Sequence, residues 1–381
     1  MAKLNIGLDG KRAVCNMTGL GNYSRYVVAA LSSCYPDNHY RLYSPRIADN
    51  RRLQPLLSRR NVALSAPTSR TDRVFSSLWR TVWMPEQLQR DGVDLYHGLS
   101  NEVPLTIERA GIASVVTIHD LIYRRQPRDY SAIDRRLYDF KYRRSAHIAR
   151  RIIAISECTK RDLVNDYGIN PDKIDVIYQG CDPIFAASVS YEQRAAIKSR
   201  YGLADRYIVC VGTVQPRKNQ LLAVKALRAL PADVQLVIVG GRQKAYGREI
   251  DEYVARHALG CRIKWLEGVP FDHIPALYAM AQMSVYVSRY EGFGLPVVES
   301  LTAGTPVIAA RGSCLEEAGG DGALYISPDD ADELAAAATT LLTDSYKHRR
   351  LSDRGRRHAK RFSANDFARL TMQAYTKALL T

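Results

Sequence analysis

Residues 207–241 read YIVCVGTVQPRKNQLLAVKALRALPADVQLVIVGG. An apolar run, Tyr207–Gly212, ends in glycine, and a second run, Val234–Val239, leads into two further glycines. The segment Asn219–Leu230 between them has its apolar residues at helical spacing. Short apolar runs that flank a helix are typical of parallel strands buried on both faces of a sheet. This stretch therefore predicts a strand–helix–strand unit of a doubly wound α/β domain.

The same alternation runs through the rest of the chain. Further strands are predicted at Leu4–Leu8, Asp94–His97, Ser114–Ile118, Ile152–Ile155, Ile174–Tyr178, Ile263–Leu266, Met283–Val287, Pro306–Ala309 and Ala323–Ile326. Helices are predicted at 22–34, 75–90, 131–149, 156–167, 247–259, 273–281, 295–303, 330–342 and 346–360. We predict an α/β protein of two Rossmann-like, doubly wound domains. The first domain covers 1–183 and is joined by a C-terminal helix, 363–381, that crosses back to it; the second covers 184–362.

Charge and cysteine content narrow the class of protein. The 381 residues include 54 Lys and Arg against 39 Asp and Glu, a net charge of +15. Such a surplus favours an anionic partner, whether nucleic acid, a membrane surface or a phosphate-bearing substrate. The seven cysteines show no CxxC spacing, which argues against a zinc ribbon or a disulfide framework and suits a reducing cytoplasm. We expect no signal peptide and no membrane span, because the N-terminus lacks an apolar core and no apolar run approaches 18 residues.

Two motifs in the first domain could carry chemistry. Gly19 and Gly21 follow the first strand and precede a helix, where glycine lets the backbone approach a phosphate. An ordinary helix start explains them equally well. His119 and Asp120 directly follow an apolar strand, at the sheet edge where ligands of open α/β folds bind. The alternative there is that Asp120 caps a helix beside a bystander histidine.

The second domain has stronger signals. Arg217 and Lys218 stand at the start of a predicted helix, where positive charge is unfavourable because of the helix dipole. A bound anion would compensate for this cost. The alternative is a basic turn exposed to solvent. The stretch EGFGLPVVE at 291–299 places Glu291 and Glu299 about two helical turns apart. Its glycines free backbone N–H groups for a phosphate, and its carboxylates can accept hydrogen bonds from sugar hydroxyls. The alternative is a capped surface helix with scattered acids.

Together these motifs resemble the family 4 glycosyltransferases, which have the GT-B fold. The resemblance rests on TGLGNYSRYV at 18–27, VVTIHDLIY at 115–123, RRIIAISECTKRDL at 150–163, GTVQPRKN at 212–219, VPFDHIPALYAMAQMSVYVSRYEGFGLPVVES at 269–300, and AGTPVIAA at 303–310. It implies two Rossmann-like domains that face a cleft, the second binding a nucleotide-sugar and the first an acceptor. It also implies a retaining reaction that needs no metal.

The resemblance further assigns roles to side chains. Glu291 would contact hydroxyls of the donor sugar and Glu299 the ribose, while Lys218, assisted by Arg217, would bind the diphosphate. His119 would face the donor sugar and the reacting phosphate.

Backbone groups complete the implied donor site. They belong to Gly19, Gly21, Thr213, Phe293, Gly294 and Leu295 near the sugar and phosphates, and to Val269 near the base. Thr213 departs from the family pattern, in which many members have arginine, and Arg217 is expected to compensate for it.

The acceptor side is less specific. Residues 123–161 are rich in arginine and tyrosine, and they could bind lipid headgroups, bind a lipid-diphosphate acceptor or form a solvated helix. Asp120, Tyr123 and Arg124 are our acceptor-binding candidates, and Asp120 is also a possible nucleophile. The apolar stripe of Arg73–Trp83 could lie at a membrane interface or pack on the sheet.

We predict a hexosyltransferase acting on a lipid-linked glycan of the cell surface, cytoplasmic and peripheral at the inner membrane face. The donor is GDP-mannose in preference to a UDP-sugar, and no cofactor or metal is expected. The one D-x-D string, Asp330–Asp332, is interpreted as a helix cap. One rival hypothesis is that the protein hydrolyses or epimerises a sugar-nucleotide. Another is that it binds nucleic acid, although the sequence contains no recognisable nucleic-acid-binding module. An incomplete glycine fingerprint disfavours a dehydrogenase.

Overall fold

The computed structural model describes residues 3–67 and 69–381. The chain divides into two compact units. Unit 1 comprises Met1–Gly180 together with Ala364–Thr381, and unit 2 comprises Cys181–Ser363. Each unit is an α/β domain with its own parallel sheet.

The sheet of unit 1 has seven parallel strands in the order β3-β2-β1-β4-β5-β6-β7. They are β1 (Asn5–Asp9), β2 (His39–Tyr43), β3 (Val62–Ser65), β4 (Leu95–Gly98), β5 (Ala113–Ile118), β6 (Arg151–Ala154) and β7 (Ile174–Val176). Strands β2 and β3 were not predicted from the sequence. These strands form one flank of the sheet, and the HYRLY sequence of β2 lacks the continuous apolar run that marks a central parallel strand.

Helices cover this sheet. They are α1 (Lys11–Cys15), α2 (Gly19–Cys34), α3 (Gln54–Leu57), α4 (Arg70–Val74), α5 (Ser76–Leu78), α6 (Met84–Arg90), α7 (Ile122–Arg125), α8 (Ala132–Ile148), α9 (Glu157–Tyr167) and α18 (Ala364–Leu380). The C-terminal helix α18 contacts α2, β5 and β6. This confirms that the end of the chain returns to the N-terminal domain.

The predicted helix 75–90 is wrong as a continuous element. The chain forms α4 and α5, a wide helical turn at Trp79–Trp83, and then α6. Trp79 is buried in the core of unit 1, whereas Phe75 and Leu78 are exposed. The apolar stripe is therefore divided between the core and the surface.

The sheet of unit 2 has six parallel strands in the order β10-β9-β8-β11-β12-β13. They are β8 (Arg206–Val211), β9 (Val234–Val239), β10 (Ile263–Leu266), β11 (Met283–Tyr286), β12 (Val307–Ala310) and β13 (Ala323–Ile326). Its helices are α10 (Tyr191–Tyr201), α11 (Gln220–Ala226), α12 (Lys244–Arg256), α13 (Ile274–Met280), α14 (Leu295–Ala303), α15 (Leu315–Gly319), α16 (Ala331–Thr343) and α17 (Ser345–Ala359). Helix α10 was not predicted, although a capping box formed by Ser190 and Gln193 marks its start.

The strand order reverses once in each sheet, between β1 and β4 in unit 1 and between β8 and β11 in unit 2. Ligands of open α/β sheets bind beyond the carboxyl ends of the strands at such switch points. The segments that follow these four strands are therefore where a functional site is expected. Among the described residues, no helix is long and apolar enough to cross a membrane.

Candidate functional site

The switch point of unit 2 brings together the residues that the motifs singled out there. Arg217 and Lys218 lie in the turn after β8, and Glu291 lies in the loop after β11. Arg217 Nη1 is 2.7 Å from Glu291 Oε1, and Lys218 Nζ is 3.6 Å from the same oxygen. All three side chains are largely shielded from solvent. The two loops are about 70 residues apart in the chain, and the adjacent parallel strands β8 and β11 bring them together.

Two hydroxyl groups complete this cluster. Tyr286 accepts a hydrogen bond from Lys218 Nζ at 2.8 Å and donates one to Glu291 Oε1 at 2.9 Å. The hydroxyl of Ser288 also lies 2.9 Å from that oxygen. The backbone carbonyl of Tyr290 accepts a hydrogen bond from Arg217 Nη1 at 2.5 Å. One carboxylate oxygen thus gathers two cations and two hydroxyls, which holds the loops after β8 and β11 together.

The electrostatics follow from burial and these pairings. Burial would raise the pKa of Glu291, but the positive charges of Lys218 and Arg217 hold it at about 2. Burial lowers the pKa of Lys218; the carboxylates of Glu291 and Glu299 oppose that shift, and the charge of Arg217 adds to it. Glu291 is therefore ionised at neutral pH, and it neutralises one of two closely spaced cations.

The loop at 292–294 leads directly into α14. Gly294 has φ +108°, which strains any other residue, and a Cβ there would lie 2.6 Å from Leu315 Cδ2 and would displace that side chain. The first-turn N–H groups of a helix lack intrahelical partners and suit an anion. Phe293 is buried with its ring edge-on to Phe362, and Leu295 begins the helix.

The other predicted donor residues of unit 2 lie at the same end of the sheet or beside it. Glu299 is buried on α14, and its charge acts on the Lys218 ammonium. Thr213 is exposed in the turn after β8, where its carbonyl accepts a hydrogen bond from Gln220. Val269 follows β10 and packs partly buried against the core. Their donor contacts stay predictions.

In unit 1, His119 directly follows β5 and is buried. Its Nε2 is 2.8 Å from the carbonyl oxygen of Leu99, and its backbone N–H donates to Asn101 at 2.7 Å. A carbonyl can only accept, so Nε2 carries the proton and Nδ1 is left as an acceptor. Burial lowers the pKa of His119 to about 4. The imidazole is therefore neutral at physiological pH.

A buried polar network lies directly behind His119. The ring of Tyr23 meets that of His119 edge-on, 4.6 Å between centroids, and its hydroxyl lies 3.0 Å from Thr117 Oγ1. Thr117 also contacts His97 Nε2 at 2.8 Å, and His97 Nδ1 contacts the Tyr375 hydroxyl at 2.7 Å. The network thus connects α18 to β5, the strand that directly precedes His119. Sequence reasoning missed it, because these residues are far apart in the chain.

The glycine pair near β1 has unequal roles. A Cβ at Gly21 would lie 1.8 Å from the backbone oxygen of Asn16, so a close backbone contact requires this glycine. A Cβ at Gly19 would meet nothing within 4 Å, so packing does not explain this glycine. Gly19 remains the better candidate for an approach to phosphate, and the contacts of both glycines with a donor stay predictions.

The acceptor-binding candidates have structural partners. Asp120 Oδ1 accepts a hydrogen bond from the backbone N–H of Ile122, but the N-cap position of α7 is Leu121, so Asp120 stands one residue before the cap. Tyr123 is buried, and its hydroxyl contacts Asp139 and Tyr167. Arg124 is paired with Asp139 at 2.5 Å. Tyr123 and the partly exposed Arg124 both border an open groove, and their contacts with an acceptor stay predictions.

The described residues contain no group of three or more His, Cys, Asp or Glu that could hold a metal ion. Asp330 accepts hydrogen bonds from the backbone N–H groups of Asp332 and Glu333 and so caps α16. This confirms the interpretation of the D-x-D string as a helix cap.

Comparison with known proteins identifies the family. The family model "Glycosyltransferase Family 4" matches residues 18–185, and the model "Glycosyl transferases group 1" matches residues 193–358. The chain belongs to the family 4 glycosyltransferases. This glycosyltransferase is 29% identical over 286 residues to the O-antigen chain mannosyltransferase B of Escherichia coli, covering 74% of each chain. It is 28% identical to the MMP alpha-(1->4)-mannosyltransferase of Mycolicibacterium hassiacum, covering 72% of this chain and 68% of that one.

Solved structures agree on the fold of this glycosyltransferase. Alr3699/HepE of Anabaena, solved in complex with UDP and glucose, superimposes with a TM-score of 0.76. The match covers 98% of this chain and 100% of that one at 21% identity, which supports the GT-B fold alone.

Proposed function

We propose that this glycosyltransferase moves a mannosyl residue from GDP-mannose to a lipid-linked glycan acceptor, with retention of configuration and without a metal. The observation that carries the donor site is the cluster of Arg217, Lys218 and Glu291 at the switch point of unit 2. Mannose is supported by the two relatives named as mannosyltransferases, one of them an O-antigen enzyme. The acceptor would be a growing surface polysaccharide on the cytoplasmic side of the membrane.

The cluster suits the departure of a diphosphate. As the bond between the anomeric carbon and the phosphate oxygen breaks, negative charge develops on the leaving group. Arg217 and Lys218 can stabilise that charge, because they are positioned before the reaction in a site shielded from water. In a retaining reaction the acceptor hydroxyl attacks from the face that the phosphate leaves, and the leaving oxygen takes its proton. Glu291 and Glu299 would hold the sugar and ribose hydroxyls.

Donor preference can be tested by thermal stabilisation without metal, using GDP, UDP, ADP and their sugar conjugates. A ligand at about 100 times its dissociation constant adds about 2.7 kcal/mol to stability. We expect GDP and GDP-mannose to stabilise the wild type selectively, and Glu299→Ala to weaken that effect. Glu252→Ala, on the exposed side of α12, is a matched control and should bind as the wild type does. No stabilisation by any nucleotide would refute the donor site.

A UDP-sugar is the second candidate, because the Anabaena structure was solved with UDP and glucose. Selective stabilisation by UDP would favour it. Product analysis then decides the reaction: transfer requires the acceptor, whereas release of free mannose without an acceptor indicates hydrolysis. Salt-sensitive binding of duplex DNA without nucleotide binding would favour the nucleic-acid hypothesis.

A further inference from the structure

The segment after β1 carries two cations that the sequence motifs did not single out. Lys11 and Arg12 begin α1, which directly follows β1 at the switch point of unit 1. Both side chains are partly buried. Ligands of open α/β sheets bind beyond the strand ends at such a point. A partly buried charge there needs either an acidic partner or a ligand.

The acidic side chains that act on these two cations are already engaged. Asp9 is buried, with Oδ2 2.7 Å from Arg80 Nη2 and 3.0 Å from the hydroxyl of Ser100. Glu102 lies 2.7 Å from Arg80 and 3.7 Å from Lys141. With the two cations of α1 included, four positive charges face two negative ones, so this cluster has a net charge of +2.

Arg12 has no acidic partner in the described part of the chain. Its Nε is shielded from solvent and has no hydrogen-bond acceptor. Asp49 and Asp120 follow other strands of the same sheet, but among the described residues neither forms an ion pair with Lys11 or Arg12. A shielded N–H group without an acceptor is unfavourable, and an anionic ligand would supply the acceptor.

The pKa values of two neighbouring groups reflect the same excess of positive charge. Burial lowers the pKa of Lys11, and the charges of Arg80 and Arg12 lower it further, although two carboxylates oppose the shift. Burial also lowers the pKa of His119, and the charge of Arg12 adds to that effect. Arg12 is therefore near enough to His119 to act on it, and a bound anion would relieve the repulsion.

Hydrogen bonds fix α1 and the turn that follows it. Arg25 Nη1 donates to the backbone carbonyls of Ala13 and Asn16 at 2.9 and 2.8 Å. The side chain of Asn16 accepts a hydrogen bond from the backbone N–H of Thr18 at 2.8 Å. A Cβ at Gly19, the next residue, would meet nothing within 4 Å. The two cations therefore belong to a segment that is already positioned beside an open turn.

We propose that Lys11 and Arg12 form a subsite for a phosphate or diphosphate ester at the switch point of unit 1. The planar guanidinium can donate two parallel hydrogen bonds to phosphate oxygens, and the ammonium adds a second charge. A net charge of +2 suits a dianionic phosphate better than a carboxylate, which carries a single charge. The subsite rests on the proposed function for its purpose, because the lipid-linked acceptor and the nucleotide-sugar both carry such a group.

Calorimetric titration of the full chain with inorganic pyrophosphate tests this subsite. GDP at saturation first fills the donor site of unit 2, and the wild type should then bind one further pyrophosphate if the acceptor supplies the phosphate. Arg12→Gln should weaken this binding about 10- to 100-fold, because a charged donor to the phosphate is lost. Arg12→Lys should weaken it less, because the charge remains while the planar fork is lost.

Arg109→Gln is the matched control. Arg109 is an exposed arginine of unit 1 that precedes β5 and so lies at the opposite edge of the sheet. This variant should bind pyrophosphate and GDP within about twofold of the wild type. An equal loss of pyrophosphate binding in Arg109→Gln would show that only the overall charge matters, and would overturn the proposal.

The affinity for GDP identifies the source of the phosphate. If Arg12→Gln binds GDP as the wild type does and loses only the further pyrophosphate, the subsite serves the acceptor. If Arg12→Gln binds GDP at least about tenfold more weakly, and the GDP-saturated wild type takes up no further pyrophosphate, the subsite serves the nucleotide-sugar. Unchanged GDP affinity together with no Arg12-dependent pyrophosphate binding would overturn the proposal.

Thermal unfolding separates ligand binding from a structural role. Because Arg12 pairs with no acid among the described residues, Arg12→Gln should unfold at the wild-type temperature or above it. Arg80→Gln should unfold at a lower temperature, because it breaks the ion pairs with Asp9 and Glu102. An equal drop in both variants would contradict the proposal. If the wild type binds no nucleotide, the proposed donor fails, and titration of the nucleotide-free proteins with pyrophosphate still compares Arg12→Gln with the wild type.

Discussion

Replacing Glu291 by glutamine removes a buried charge but keeps the size of the side chain. Lys218 and Arg217 overcome the effect of burial and hold the pKa of Glu291 at about 2, against an ordinary value of 4.5. One pKa unit corresponds to about 1.4 kcal/mol, so the ionised carboxylate contributes about 3 kcal/mol to the stability of unit 2. Because the pKa is lowered in the folded state, this contribution is complete above the unfolded pKa. It is lost as the pH falls from about 4.5 towards 2.

Urea unfolding of the wild type and Glu291→Gln at several pH values measures this contribution. We expect the variant to be less stable by about 3 kcal/mol at pH 7, and by only about 1 kcal/mol at pH 3. Glu252→Gln, on the exposed side of α12, should stay within about 0.5 kcal/mol of the wild type throughout. A difference below about 1 kcal/mol at pH 7, or one that does not shrink in acid, would refute the account of Glu291 as a neutralising partner.

The geometry supports three further predictions, two for substitutions and one for a pH profile. Gly294→Ala should lower the free energy of unfolding by about 1–3 kcal/mol, because φ is +108° and a Cβ would crowd Leu315. Calorimetry measures this loss, with Gly260→Ala as the control, since Gly260 is open to solvent. Tyr375→Phe should cost about 1–3 kcal/mol in urea unfolding, because it removes a hydrogen-bond partner of His97 in a buried network. Burial lowers the pKa of His119 to about 4, so binding of the nucleotide-sugar should show no inflection near pH 6.5; an inflection there that His119→Asn abolishes would contradict this.

Much of the fold could be predicted from local sequence patterns. The run Tyr207–Gly212 and the helix after it lie where their apolar spacing placed them, as do β10, β13 and α14. Strand β2 was missed because HYRLY lies next to the edge of the sheet and carries polar residues. The break in the helix 75–90 was also hidden, since Arg80 is drawn inward by Asp9 and Glu102, and neither acid is near it in sequence.

The residues of the candidate site also fall into those that could be predicted from the sequence and those that could not. Arg217, Lys218 and Glu291 could be singled out because unusual residue types stand at the ends of strands, and parallel strands bring such ends together. Tyr286 and Ser288 could have been noted only from their position at the end of β11, since neither residue type is unusual there. The connection of Tyr375 to the strand of His119 had no local signal at all. It depends on where α18 packs, which long-range contacts decide.

The charge of the unit 2 cluster links its stability to its chemistry. Arg217 and Lys218 together carry two positive charges, and Glu291 cancels one, so the cluster has a net charge of +1. A bound diphosphate would bring two negative charges, which the cations and the start of α14 can stabilise. Glu291→Gln would leave both cations uncompensated. The same substitution should therefore destabilise the empty protein and strengthen the binding of free GDP, because each effect follows from removing one negative charge. In the unliganded protein, two buried cations need a negative partner, and Glu291 supplies it. The same carboxylate repels an anionic ligand, so the stability of the empty site is gained at the expense of ligand affinity.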